Sequence, residues 1–171
     1  MTGPLDTLYR EVVLEHHRHP RGNRPLTDPD IEASGQNPSC GDDVVLQMRF
    51  EGDRIAAVGV LTHGCAISTS SGSMMAELIE GRTVSEAAAL AERFREVMQG
   101  KTFPAEVDLG DLSVLEGVKQ FPVRIKCALL PWLTLLDAIL ARRQGRPPQP
   151  LDTEGLPAGG SPMQVDLKER S

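Results

Sequence analysis

Cysteine is scarce in this chain, and the thiols come in an odd number. Of 171 residues only three are cysteine: Cys40, Cys65 and Cys127. Such a set speaks against a disulfide framework in a reducing compartment. No apolar run reaches the ~18 residues that a membrane span requires. Basic residues are also short, 18 against 24 acidic for a net charge of −6. They are scattered or paired, with no stripe to track phosphates, so neither nucleic acid nor an anionic membrane is expected as the main partner. The first residues, Met1 to Asp6, lack the basic and apolar regions of a signal peptide. No repeat is visible. The expectation is a soluble, cytoplasmic protein with one compact domain over residues 1–143 and an appended tail over 144–171.

The chain supports that division. Leu5, Leu8, Tyr9, Val12, Val13 and His16 recur at the spacing of an amphipathic helix. Pro20 stops it. His16, His17 and His19 invite comparison with a metal cluster, but at these spacings they read as the solvated end of that helix. Val44, Leu46, Met48 and Phe50 then alternate with Asp43, Val45, Gln47 and Arg49, the period of a half-buried strand. Glu51-Gly52-Asp53 makes a turn into a partner strand, Arg54 to Leu61, and Ile31 to Ala33 reads as a shorter strand beside them. A helix through Met74, Met75, Leu78 and Ile79 follows, with Cys65 near its N-terminus. Thr83-Val84-Ser85-Glu86 is a capping box for another helix. Leu112 to Val118 suggests a short helix, and a last one carries Leu129 to Leu140, with Pro131 expected to kink it. Beyond Arg143, Pro147, Pro148, Pro150, Pro157 and Gly159-Gly160 mark a segment too poor in apolar surface to fold alone. It is expected to be dispensable for fold and metal.

Each cysteine lies next to a place where regular structure begins. Three thiols with one carboxylate make a donor set for a borderline-soft cation such as zinc. Asp42 is the best fourth donor, because a Cys-x-Asp pair can bend both side chains toward one point. Asp43 begins the strand and is expected to face away; His63, two residues before Cys65, is the rival. Against this stands the bland reading of three buried thiols acting as small hydrophobes.

Asn37-Pro38-Ser39-Cys40-Gly41-Asp42, Gly64-Cys65-Ala66-Ile67-Ser68 with Ser73-Met74-Met75, and Arg124-Ile125-Lys126-Cys127 together resemble the SufU branch of the IscU/NifU-like iron–sulfur assembly proteins. Leu5 to Arg10, Met98 to Lys101 and Asp108 to Asp111 are similar to that branch as well. The resemblance implies an α+β fold, a small antiparallel three-stranded sheet covered on one face by helices. It implies a metal site of Cys40, Asp42, Cys65 and Cys127. The scaffold-type members place a histidine directly before the third cysteine, where this chain has Lys126, and their segment between the second and third cysteines is shorter. Both departures favour zinc over a [2Fe–2S] cluster at the same residues. The implied activity is that of a zinc-dependent sulfurtransferase-like partner of a pyridoxal-phosphate cysteine desulfurase, with Cys40 attacking the persulfide and downstream iron–sulfur assembly proteins receiving the sulfur. The alternative is a scaffold on which a [2Fe–2S] cluster is built and passed to apo-proteins.

Overall fold

The computed structural model describes residues 4–105 and 109–154, with side chains from residue 7 onward. Asp108 and residues 155–171 of the tail lie outside the described residues. The elements run α1 (Pro4–Arg18), β1 (Ile31–Asn37), β2 (Asp42–Glu51), β3 (Arg54–His63), α2 (Ala66–Ile79), α3 (Val84–Met98), a 3-10 helix (Gly110–Gln120), α4 (Pro122–Gln144) and β4 (Leu151–Asp152).

The alternation read in β2 sets the sheet. Val44, Leu46 and Met48 are buried on the face covered by helices, while Asp43 and Arg49 point out. β2 pairs antiparallel with β3 through the turn at Gly52, whose φ of 61° suits glycine. It pairs antiparallel with β1 on its other side. The β1 strand extends beyond Ala33 to Asn37, which brings Asn37 opposite Asp42. To this three-stranded antiparallel sheet the segment after α4 adds β4, parallel to β1, so the order is β3-β2-β1-β4.

Two helices do most of the covering. Trp132, Leu129, Leu130 and Leu136 of α4 are buried to within 1% of full, as are Met74 and Met75 of α2. Trp132 packs its ring 5.4 Å from Phe94 of α3 and donates its indole N–H to Ser71 Oγ at 3.1 Å. The Ser71 hydroxyl donates in turn to the Ala128 carbonyl at 2.6 Å, tying α2 to α4 through polar atoms that burial would otherwise leave unsatisfied. Gly35 of β1 sits where a Cβ would strike Thr134 Oγ1, so α4 lies directly on the sheet. The N-cap half of the capping box forms, the Glu86 N–H donating to Thr83 Oγ1 at 3.1 Å, while the Glu86 carboxylate accepts from the Thr83 hydroxyl at 3.0 Å.

Three expectations are corrected or sharpened. His16 is not at a solvated helix end: it is fully buried, with Nδ1 2.6 Å from Ser73 Oγ and Nε2 2.9 Å from Asp111 Oδ2. His17 and His19 are exposed. The same 3.6-residue spacing that placed His16 on the apolar face carries it inward, and two polar partners satisfy its ring. Leu8, expected on that face, is instead 47% exposed. Pro131 lies well inside α4, which begins with Pro122 in its first turn and is continuous to Gln144. Pro131 cannot donate to the Cys127 carbonyl one turn back, and the Thr134 hydroxyl donates to the Leu130 carbonyl at 2.8 Å just beyond it.

Candidate metal centre

One end of the sheet gathers the residues that the sequence scatters. β1 ends at Asn37, a turn carries Cys40, and β2 opens at Asp42. β3 ends at His63, Gly64 makes the bend, and Cys65 caps α2. Cys127 lies in the first turns of α4. Inward parity continues from Met48, Leu46 and Val44 to Asp42, which is 1% exposed, while Asp43 is exposed. His63, the rival donor, is also exposed and stands opposite Asp43 in the β2–β3 register.

Cys40 Sγ, an Asp42 carboxylate oxygen and Cys127 Sγ all lie within 4.8 Å of one another. Cys65 joins from the side, with Sγ 3.8 Å from Asp42 Oδ2 and its backbone N–H donating to Asp42 Oδ1 at 2.8 Å. Gly64 makes this approach possible, because a Cβ there would collide with the Asp42 carboxylate and its φ is +152°. Tetrahedral coordination with sulfur about 2.3 Å from zinc separates the sulfurs by roughly 3.8 Å, so a small adjustment of these side chains suits one cation. A buried carboxylate among thiols needs positive charge nearby. No ion pair among the described residues involves Asp42.

The thiols differ from one another. Hydrogen bonding with the Cys127 thiol, aided by Ser68, lowers the Cys65 pKa to about 6 against the opposing effect of burial. Cys65 sits at the N-terminus of α2, but the neighbouring thiol contributes most. The Cys127 pKa is raised by the same pairing and by burial. Arg124 is exposed, and its guanidinium is held charged chiefly by the Cys65 thiolate and by a hydrogen bond to Cys127. In chelator-stripped protein, Cys65 is therefore expected to react first with iodoacetamide. Its alkylation should rise as pH climbs through about 6, while fully buried Cys127 stays unlabelled. Peptide mass spectrometry across pH 5–8 (chosen to bracket that pKa) reads the order directly; Cys127 labelling ahead of Cys65 refutes it.

One contributor escaped sequence reading. Asn37, fully buried, donates through Nδ2 to Asp42 Oδ2 at 3.3 Å and to Cys127 Sγ at 3.4 Å. The available signal was its place at the head of the Cys40 turn, directly before Pro38.

The chain is similar to known proteins along most of its length. The Zinc-dependent sulfurtransferase SufU of Bacillus subtilis is 40% identical over 141 residues, covering 82% of this chain and 95% of that protein. The iron–sulfur cluster assembly scaffold protein IscU of Streptococcus pyogenes is 41% identical over 136 residues, 79% and 84% of the two chains. A crystal structure of a SUF-system assembly scaffold protein from Fervidobacterium islandicum superposes with a TM-score of 0.73 at 37% identity, covering 78% of this chain and 97% of that one. Residues 8–128 match the model of the NifU-like N terminal domain. With its sheet, its covering helices and its three cysteine-bearing segments in order, the chain belongs to the NifU-like N-terminal domain family.

Proposed function

We propose that this chain is a cytoplasmic iron–sulfur cluster assembly protein, a zinc-binding sulfur acceptor that takes persulfide sulfur from a pyridoxal-phosphate cysteine desulfurase and hands it to downstream assembly proteins. The observation that carries the reading is the convergence of Cys40, Asp42 and Cys127 with Cys65 alongside, at a sheet end where Cys40 sits half-buried on the turn between β1 and β2. The similarity to the zinc-dependent Bacillus protein supports it. Cys40, Asp42, Cys65 and Cys127 would hold the ion: three soft donors and one hard one, the mixture zinc accepts. Bound zinc would keep the thiols deprotonated and shield them from oxidation. No helix among the described residues is long and apolar enough to cross a membrane.

Cys40 is the proposed nucleophile. It is half-buried on a turn, whereas Cys127 is fully buried under α4 and cannot meet a partner's persulfide. The Cys40 thiolate forms a new S–S bond to the outer sulfur of the desulfurase persulfide. The persulfide's own S–S bond breaks, and the desulfurase thiolate leaves with the bonding pair. Arg124 faces the thiols and balances negative charge during that exchange.

Asp42 as fourth donor has a direct test. Asp42→Ala removes a donor to the ion itself, so it should weaken zinc retention by more than the roughly 10–100-fold that losing an outer-shell partner costs, without unfolding the chain, and His63→Ala should leave it near the parent value. Competition with a chromophoric chelator measures both; retained affinity in Asp42→Ala with loss in His63→Ala refutes the assignment. Residues 1–143 are the proposed folding unit, with 144–171 as an appended segment.

A second reading, a scaffold that builds a [2Fe–2S] cluster at the same residues, is favoured by the similarity to the Streptococcus scaffold. Lys126 disfavours it: its ammonium has no lone pair for a metal. Metal analysis of purified protein separates the two. Stoichiometric colourless zinc supports the first reading, and a brown cluster absorbing in the visible supports the second.

A further inference from the structure

We infer that Thr153, from the segment after α4, is a positioning residue for the metal centre and acts through Asn37. Thr153 is fully buried although it lies in a Pro- and Gly-rich stretch, and its hydroxyl donates to Asn37 Oδ1 at 2.8 Å. An asparagine amide can turn over and exchange its oxygen for its NH2 group. The Thr153 bond fixes the orientation in which the oxygen faces β4. The two amide protons are thereby aimed the other way, one at Asp42 Oδ2 and one at Cys127 Sγ. Turned over, the amide would present its carbonyl lone pairs to a carboxylate and a sulfur, which is repulsive in a buried place.

The segment is anchored on both sides of Thr153, so the hydroxyl is held in place. Leu151 and Asp152 pair in parallel with Gly35 and Gln36, and the Thr153 N–H donates to the Gln36 carbonyl at 3.1 Å. Gln36 Nε2 donates to Asp152 Oδ2 at 3.0 Å. Beyond Thr153, Ser39 Oγ donates to Glu154 Oε1 at 2.9 Å, tying the segment to the turn that bears Cys40. Thr153 lies outside residues 8–128, which match the family. Outer-shell partners that orient ligands typically govern metal retention by roughly 10–100-fold.

The inference rests on the zinc-site reading, and the test keeps the two apart. Zinc loss from the purified full-length protein to a chromophoric chelator is measured for the parent, Thr153→Val, Thr153→Ser and Asn37→Ala. Thr153→Val keeps the side-chain shape without the donor and should lose zinc about tenfold faster, at the lower end of outer-shell effects. Thr153→Ser should restore near-parent retention. In the Asn37→Ala background, adding Thr153→Val should change nothing further, an outcome that general loosening of the segment would not produce. Parent-like retention in Thr153→Val, or full additivity with Asn37→Ala, overturns the proposal. If the parent itself holds no zinc, the zinc reading fails and the positioning role is judged without metal. Hydrogen exchange of the Asn37 side-chain NH2, followed by NMR in 15N-labelled protein, should then be faster in Thr153→Val than in the parent and Thr153→Ser. Equal exchange in all three overturns the proposal.

Discussion

Cys40→Ala is expected to reduce stimulation of a cognate cysteine desulfurase to background, with the fold unchanged. Cys40 follows Asn37-Pro38-Ser39 on the turn between β1 and β2, half-buried and outside the apolar core, so trimming its side chain leaves that core intact. What disappears is the thiol carried on the turn between β1 and β2. Cys127→Ala should fail differently. Cys127 is fully buried and accepts from Asn37, so its loss opens the floor of the site and weakens metal retention first. Desulfurase turnover with each variant, together with persulfide mapping by mass spectrometry, tells the cases apart. Normal stimulation by Cys40→Ala would show the roles to be misassigned, and loss on Cys65→Ala alone would move the nucleophile to the thiol whose pKa lies at about 6.

Removing the metal should lower the melting temperature by roughly 10 °C and stop sulfur transfer, with added zinc restoring both. At a thousandfold excess over its dissociation constant, a ligand bound only by the folded state contributes about 4 kcal/mol. For a chain of this size each kcal/mol moves the midpoint by about 2–4 °C. The physical source is local. Asp42 is a buried carboxylate beside Cys65, itself ionised above about pH 6, and the two negative charges lie 3.8 Å apart at their nearest atoms. Without a cation that proximity is repulsive, and the turn holding Cys40 loses its reason to stay closed. Calorimetry with and without chelator measures the shift. An unchanged midpoint in protein shown to have lost its metal would mean that the site is held together by packing alone.

The metal result bears on the segment after α4. Composition alone leads to the expectation that residues beyond Arg143 can be dispensed with for folding. For the site the contacts of Thr153 and Glu154 give a different outlook: a chain ending at Arg143 should fold and still surrender its metal faster. Proline and glycine content reports how little apolar surface a segment can bury. It says nothing about a single hydroxyl placed against a buried amide.

Much of this protein was determined by sequence alone, wherever the deciding interactions are local. The alternation of Val44, Leu46 and Met48 settles which face of β2 is buried, and by parity alone it separates Asp42 from Asp43. Thr83 and Glu86 mark where α3 begins. The three cysteine motifs, in order, identify the family. Tertiary structure alone decided what depends on partners distant along the chain. His16 shares its helical spacing with apolar residues, but only Ser73 and Asp111, brought in from α2 and the 3-10 helix, make its burial tolerable. Asn37 precedes the cysteine turn in sequence, yet its amide acquires a direction only when Cys127 and Thr153 arrive on opposite sides of it. Periodicity and capping act over three or four residues, within reach of any reading of the chain. A hydrogen bond between residues 37 and 153 exists only after α4 has packed on the sheet and the chain has returned along β1.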